Sequence, residues 1–197
     1  MREAGKNGER AYLVKNEFVK KQVALMALLI AFPSFGYADG QWVLKQSTLT
    51  YHISHPLHEA DGVSHAARGK GDCHAGECDF LIAAPVKSFD SGDSNRDLHM
   101  IEVTRGAEFP MVIVRAQMVE SEIKSGTIHA DLEIQFAGQT VHYNQVEFQL
   151  AKDGNDIKLT GTIPAKVSDF KIDPPKLLLV PIKNDIPVRV EMTWSRQ

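Results

Sequence analysis

The sequence predicts an all-β fold, an antiparallel sheet with one apolar and one polar face that closes into a barrel or stacks as a sandwich. Three observations carry this: apolar and polar residues alternate in run after run, turn residues separate the runs, and only one segment has a clear helical signature. The 197 residues suit one compact domain. With 43% hydrophobic and 24% charged residues, the chain has ordinary globular proportions, which exclude a disordered polypeptide.

The first segment reads as a leader. Lys20-Lys21 precede ten apolar residues, Val23–Phe32, and the small residues Gly36 and Ala38 follow. This pattern predicts a signal peptide over residues 1–38, cleaved before Asp39. Ten residues cover only about half of a bilayer core, so no stable membrane insertion of the mature chain is expected. Residues 39–197 are then the exported domain, periplasmic or secreted.

Within that domain Leu49, Tyr51, Ile53 and His55 alternate with Thr50, His52 and Ser54. Phe80, Ile82, Ala84 and Val86 form a second run. Val112, Val114, Ala116 and Met118 form a third after Pro110. In Thr127–Phe136 the alternation is complete, with Ile128, Ala130, Leu132, Ile134 and Phe136 on one face. Val146, Phe148 and Leu150 oppose Ile157, Leu159 and Ile163 across the turn Asp153-Gly154-Asn155. The last run spans Ile186–Trp194. Ser125-Gly126 and Gly138-Gln139 read as further hairpin turns. Ser94-Asn95-Arg96-Asp97 resembles a capping box with Ser94 as N-cap, and Leu98 and Ile101 then share a helical face. A short helix or irregular turn is expected around Val167–Ile172, before Pro174-Pro175.

Charge and motif content exclude several functions. Six of the 22 basic and three of the 25 acidic residues precede Asp39, leaving 16 basic against 22 acidic in the domain. Such a balance gives no overall footprint for nucleic acid or anionic lipid. There is no G-x-S-x-G and no Gly-rich phosphate loop, so a binding protein is expected rather than an enzyme, with no catalytic residue, cofactor or metal assigned. Cys73 and Cys78 flank His74-Ala75-Gly76-Glu77. This spacing suits a disulfide across a tight turn better than a zinc site, which prefers C-x-x-C. His52 and His55 fall on opposite faces of a strand and cannot chelate one ion.

The order of motifs resembles the YceI-like family. Ser47–His55 resembles its S-x-x-x-F/Y-x-x-x-H opening strand, and Pro85–Met100 its S-hydrophobic-D-[ST]-G turn followed by an R-D helix. Phe109-Pro110 matches its aromatic-Pro, and Gly126–Thr140 its later hairpin. Ser168–Ile172 resembles its late R-x-D-F-G-I segment without the Arg and the Gly. The resemblance implies an eight-stranded antiparallel lipocalin-like barrel over residues 39–197, with one short helix at an end and a long apolar cavity for a prenyl chain.

On the alternating faces alone, a filled core and an open cavity stand about even; the resemblance favours the cavity. Its expected lining is Tyr51, Ile53, Phe80, Ile82, Val114, Leu132, Ile134, Phe148, Val188 and Val190. His55, Arg96 and His99 are candidates for a ligand headgroup or the cavity mouth. For each of these three a purely structural role, such as helix capping, ion pairing or a satisfied rim histidine, is equally open or favoured. The expected ligand is an isoprenoid lipid, a prenyl quinone or polyprenyl phosphate. A membrane cytochrome or quinone enzyme is the protein partner considered. The rival expectation is an exported stress or interaction protein with a packed barrel that binds a partner through its loops.

Overall fold

A computed structural model describes residues 41–197. The expected leader, residues 1–38, lies outside the described residues. Eight strand positions close into an antiparallel barrel. β1 (Trp42–His55) runs to one end, and the chain returns as β2 (His58–Ser64) and β3 (Arg68–His74). β4 (Glu77–Pro85), β5 (Met111–Val119), β6 (Thr127–Phe136), β7 (Gln139–Asp153), β8 (Asp156–Ile163) and β11 (Val188–Arg196) complete the wall. Each pairs with its neighbour, and β11 pairs with β1 to close the ring. A two-stranded hairpin, β9 (Lys176–Leu177) and β10 (Val180–Pro181), stands apart from the wall.

β2 and β3 form one interrupted strand. Leu49 pairs with Ser64 and Val43 with Lys70, which is a single register along β1. At the interruption, the His65 ring nitrogen Nδ1 donates to the Ser47 carbonyl (3.2 Å), supplying a partner where the ladder is broken. The alternation rule missed these strands because glycines occupy inward positions. A Cβ on Gly62 would lie 2.2 Å from the Tyr51 ring, and one on Gly71 2.2 Å from the Phe80 ring. Each ring therefore rests against the wall over a glycine instead of projecting across the lumen.

The hairpin turn between β7 and β8 falls where Asp153-Gly154-Asn155 predicted it. The β6–β7 turn is Ala137-Gly138, both at positive φ, one residue before the expected Gly138-Gln139. Ser125-Gly126 lies in the β5–β6 hairpin connection, which is longer than a tight turn. It ends α2, a single helical turn (Glu122–Ser125) with Gly126 at φ 85°, so a second helix exists beside the expected one. The last strand begins at Val188 rather than Ile186, because Pro187 has no N–H for the ladder. Val167–Phe170 is the expected short helical segment, and Lys171 follows it at φ 54°, a left-handed conformation that favours glycine.

The expected helix is α1 (Ser94–Val103), but its N-cap is Asp93, not Ser94. The Asp93 carboxylate accepts from the amides of Asn95 (2.9 Å) and Arg96 (3.2 Å). The carboxylate of Asp97 instead reaches back to the Ser91 hydroxyl (2.6 Å) and amide (3.1 Å). Ser88 donates to the Pro85 carbonyl (2.6 Å) and meets the fully buried Ser64 hydroxyl at 2.7 Å. The polar residues of the long motif thus fix α1 to the barrel wall.

Cys73 and Cys78 are directly opposite in the β3–β4 ladder and form a disulfide, with Cα atoms 4.0 Å apart. The turn between them has Ala75 and Gly76 at positive φ, a two-residue hairpin geometry.

Candidate functional site

The barrel encloses a cavity of about 590 Å³, inside the range of small-molecule sites. Its two ends differ. At the floor lie the β3–β4 and β7–β8 turns and α2, and the lining there is apolar: Trp42, Phe80, Met118, Ile123, Ile157 and Trp194. The Phe80 and Trp194 rings meet edge to face at 4.9 Å. At the mouth lie the β1–β2 turn, α1 and residues 164–187. The charged and imidazole-bearing lining residues, His55, His58, Asp93, Arg96, His99, Lys166 and Lys176, all belong to this end. The bore is therefore apolar in depth and polar only at its opening.

All ten residues expected along the bore line it: Tyr51, Ile53, Phe80, Ile82, Val114, Leu132, Ile134, Phe148, Val188 and Val190. Cross-strand register brings them together. Ile82 pairs with Val114, Val114 with Ile134, and Val188 with Tyr51. Strand alternation sends every partner of an inward residue inward as well.

Tyr51 is the polar exception inside. It is 8% exposed, and its hydroxyl has no hydrogen-bond partner among the described residues. Burial, and secondarily the charge of Asp97, push the phenol above its ordinary value, while Arg96 opposes the shift. Tyr51 is thus protonated, and the residue lines the cavity near Arg96.

The three mouth candidates differ in how committed they are. His55 is 6% exposed and fully engaged. Its Nδ1 accepts from the Leu57 amide (3.1 Å), which leaves the proton on Nε2 to donate to the Val180 carbonyl (3.2 Å). One neutral imidazole therefore ties the β1–β2 turn to the β9–β10 hairpin. Arg96 lies 3.6 Å from the Asp93 carboxylate, a loose i,i+3 pair that leaves most of the guanidinium donors available. His99 lines the cavity from α1, and its Nδ1 is 3.4 Å from Glu102. His52, by contrast, lies on the outer face and pairs with Asp61 at 2.8 Å, as alternation requires.

The sequence reading missed Lys166, Lys176, Ile172, Pro175, Ile182 and Ile186, which line the mouth from residues 164–187. That segment has no sustained period and offered no face to read. Tyr143 donates to Asp169 (2.7 Å), and burial and that carboxylate raise its phenol well above the ordinary value. This bond pins the Val167–Phe170 turn to β7.

Among solved structures, a polyisoprenoid binding domain from Saccharophagus degradans, implicated in plant cell wall breakdown, superposes with a TM-score of 0.66. Its sequence is 14% identical, and the match covers 79% of this chain and 98% of that one. BcnA from Burkholderia cenocepacia gives a TM-score of 0.64 at 12% identity, over 75% of this chain and 95% of that one. The fold is the barrel of these two proteins. The eight-stranded architecture implied by the motif resemblance is thus found in the structure. No sequence-family model and no curated protein matches the chain.

Proposed function

We propose that this chain is an exported YceI-like carrier that holds an isoprenoid lipid in the barrel. The observation that carries the reading is the division of the cavity: a deep apolar bore with every charged lining residue at one end. A prenyl quinone or polyprenyl phosphate has this same division. Each isoprene unit entering the bore removes five carbons from water, a gross gain of roughly 3–4 kcal/mol. Tail ordering and loss of rigid-body freedom offset much of it. The solved neighbour described as a polyisoprenoid binding domain supports the reading at the level of fold.

In this reading Arg96, Lys166 and Lys176 face the headgroup, and Tyr51 donates to one of its oxygens. Export agrees with the Cys73–Cys78 disulfide, since such bonds persist in oxidising compartments. No helix among the described residues is long and apolar enough to cross a membrane. A membrane cytochrome or quinone enzyme is the partner class that would exchange such a cargo.

Organic extraction of the purified protein followed by mass spectrometry tests the cargo, with a prenyl lipid expected. An extract free of lipid, together with an unchanged melting temperature in saturating prenyl quinone, would remove the proposal, because a ligand selective for the folded state raises stability. Export is checked separately by sequencing the N-terminus of the secreted protein. Asp39 is the expected first residue.

A further inference from the structure

The mouth carries a feature that the cavity does not use. The exposed large aliphatic residues among the described residues are Leu57, Leu81, Leu98, Val119, Leu178, Leu179 and Val180. Three of these are consecutive at the tip of the β9–β10 hairpin, where Leu178 is 77% and Leu179 91% exposed. Leu57, 68% exposed, sits on the β1–β2 turn, and the His55 imidazole bonds both its amide and the Val180 carbonyl. Two loops joined through one side chain thus present a shared apolar tip at the opening of the barrel.

The backbone sharpens the point. Leu178 and Leu179 both have positive φ, 51° and 70°, in the two-residue turn of the hairpin. Asn-Gly would relax such a turn, whereas two leucines are sterically disfavoured there. The fold gains no packing from side chains this exposed. Both the strain and the apolar exposure therefore remain unrecovered until something covers the tip.

Charge identifies what covers it. The ten residues Pro174-Pro175-Lys176-Leu177-Leu178-Leu179-Val180-Pro181-Ile182-Lys183 contain two lysines and no acid, within a domain whose overall balance is acidic. Lys176 and Lys183 make no ion pair with a described residue. The Lys183 amide donates to the Ser54 carbonyl (2.8 Å) and the Ile182 amide to the Pro175 carbonyl (2.9 Å), so the base of the hairpin is fixed to the rim. An apolar tip flanked by unpaired cations matches the interface of an anionic bilayer: acyl chains below, phosphates at the level of the lysines.

We propose that the β9–β10 tip and Leu57 dock the barrel, mouth down, on an anionic phospholipid membrane. Docking does not depend on the cavity being filled. A barrel that proved to hold no lipid would dock equally, so the two proposals fail independently.

The test uses the full chain with an environment-sensitive dye on Leu179→Cys, the native cysteines being joined to each other. A second chain carries the dye on Asn155→Cys, in the β7–β8 turn at the opposite end. With vesicles of phosphatidylglycerol and phosphatidylethanolamine, the dye at position 179 is expected to shift to the blue, while that at 155 does not. Leu57→Ser with Leu178→Ser is expected to reduce vesicle partitioning about tenfold or more, because two aliphatic side chains no longer leave water. Lys176→Gln or Lys183→Gln should reduce it about fivefold each on these vesicles and leave phosphatidylcholine vesicles unaffected. All these side chains are at the surface, so the melting temperature should not change and loss of fold does not confuse the result. An aqueous emission at 179 on every vesicle would overturn the proposal. So would equal shifts at 179 and 155, which place the contact elsewhere in the chain. So too would a shift at 179 without vesicles that grows with protein concentration, since the tip then covers a second copy.

Discussion

Replacing Val190 by Trp distinguishes an open bore from a packed one. Val190 is 3% exposed, lines the cavity, and pairs with Leu49 on β1 and Gly161 on β8. On β1, Leu49 lies six residues below His55 at the rim. At about 3.3 Å per residue and a strand tilt of about 40°, this is about 15 Å down the bore. The whole of β1 gives a height of about 33 Å on the same basis. An indole at 190 therefore obstructs roughly the lower half while the mouth stays open. For the parent protein, a prenyl quinone at a hundredfold excess over Kd adds about 2.7 kcal/mol. At about 2–4 °C per kcal/mol for a domain this size, the melting temperature rises about 5–11 °C. The Trp variant is expected to melt close to the parent without lipid and to bind short-chain quinones unchanged. A tail long enough to pass the indole should lose at least about tenfold in affinity, which at the same lipid concentration reduces the rise to about 3–6 °C. Differential scanning fluorimetry across a chain-length series measures both. A packed lumen gives a different pattern, in which overpacking costs about 1–3 kcal/mol and neither protein responds to lipid. That result would refute the argument from geometry.

Tyr51→Phe removes a hydroxyl with no protein partner, so the lipid-free melting temperature should stay nearly constant. Binding of a prenyl quinone should weaken about two- to twelvefold, the worth of one hydrogen bond, while a hydrocarbon isoprenoid of equal length binds as before; titration calorimetry on the pair of ligands reads the difference. For Asp93, backbone amides of Arg96 and Asn95 hold the carboxyl below its ordinary 3.8. Its folded pKa is depressed, so its contribution is present above 3.8 and is lost as pH falls through the lower folded value. Asp93→Asn, which caps comparably, should flatten the acid limb of the melting curve against pH and leave neutral stability nearly unchanged. Replacing Cys73 and Cys78 together by Ala opens a six-residue loop and should cost about 2 kcal/mol, or about 4–8 °C, in the oxidised protein. Alanine is the appropriate choice because Cys78 is fully buried; a melting temperature equal to that of the parent would show the bond adds nothing.

How much of the fold was legible depended on what faced inward. Thr127–Phe136 and Ile157–Ile163 carry large aliphatics on the lumen face, and their strands fall where period two placed them. β2 and β3 put Gly62, Gly69 and Gly71 on that face, and a glycine reads as a breaker in a single sequence. It registers as a strand residue only once the ring that fills its space is seen, from Tyr51 over Gly62, Phe80 over Gly71 and Trp194 over Gly69. The N-cap moved from Ser94 to Asp93 for a related reason. Ser94, Asp93 and Asp97 all satisfy local capping chemistry, and the choice is made by tertiary ties: Ser91 occupies Asp97, and the Val63–Asp90 bridge fixes where the turn ends.

The site divides along the same line. The inward faces were legible from alternation, but the lumen between them came from the motif resemblance, since alternation alone suits a packed core equally; the ten residues chosen on both grounds all line one cavity. The mouth was not legible, because it is built from residues 164–187, which obey no period and are held by single bonds to distant places. His55 carries one such bond to Val180, 125 positions away, and Tyr143 another to Asp169. A sequence shows that His55 is present but not that both its nitrogens are occupied. His55 therefore orders the mouth loops and is not an open ligand for a headgroup. Arg96 keeps donors to spare, and Tyr51 has a hydroxyl with nothing yet to bind. Under the proposed lipid-carrier reading, headgroup polarity would therefore be met by Tyr51 and Arg96 and chain length by the bore beneath them, with His55 holding the mouth loops together.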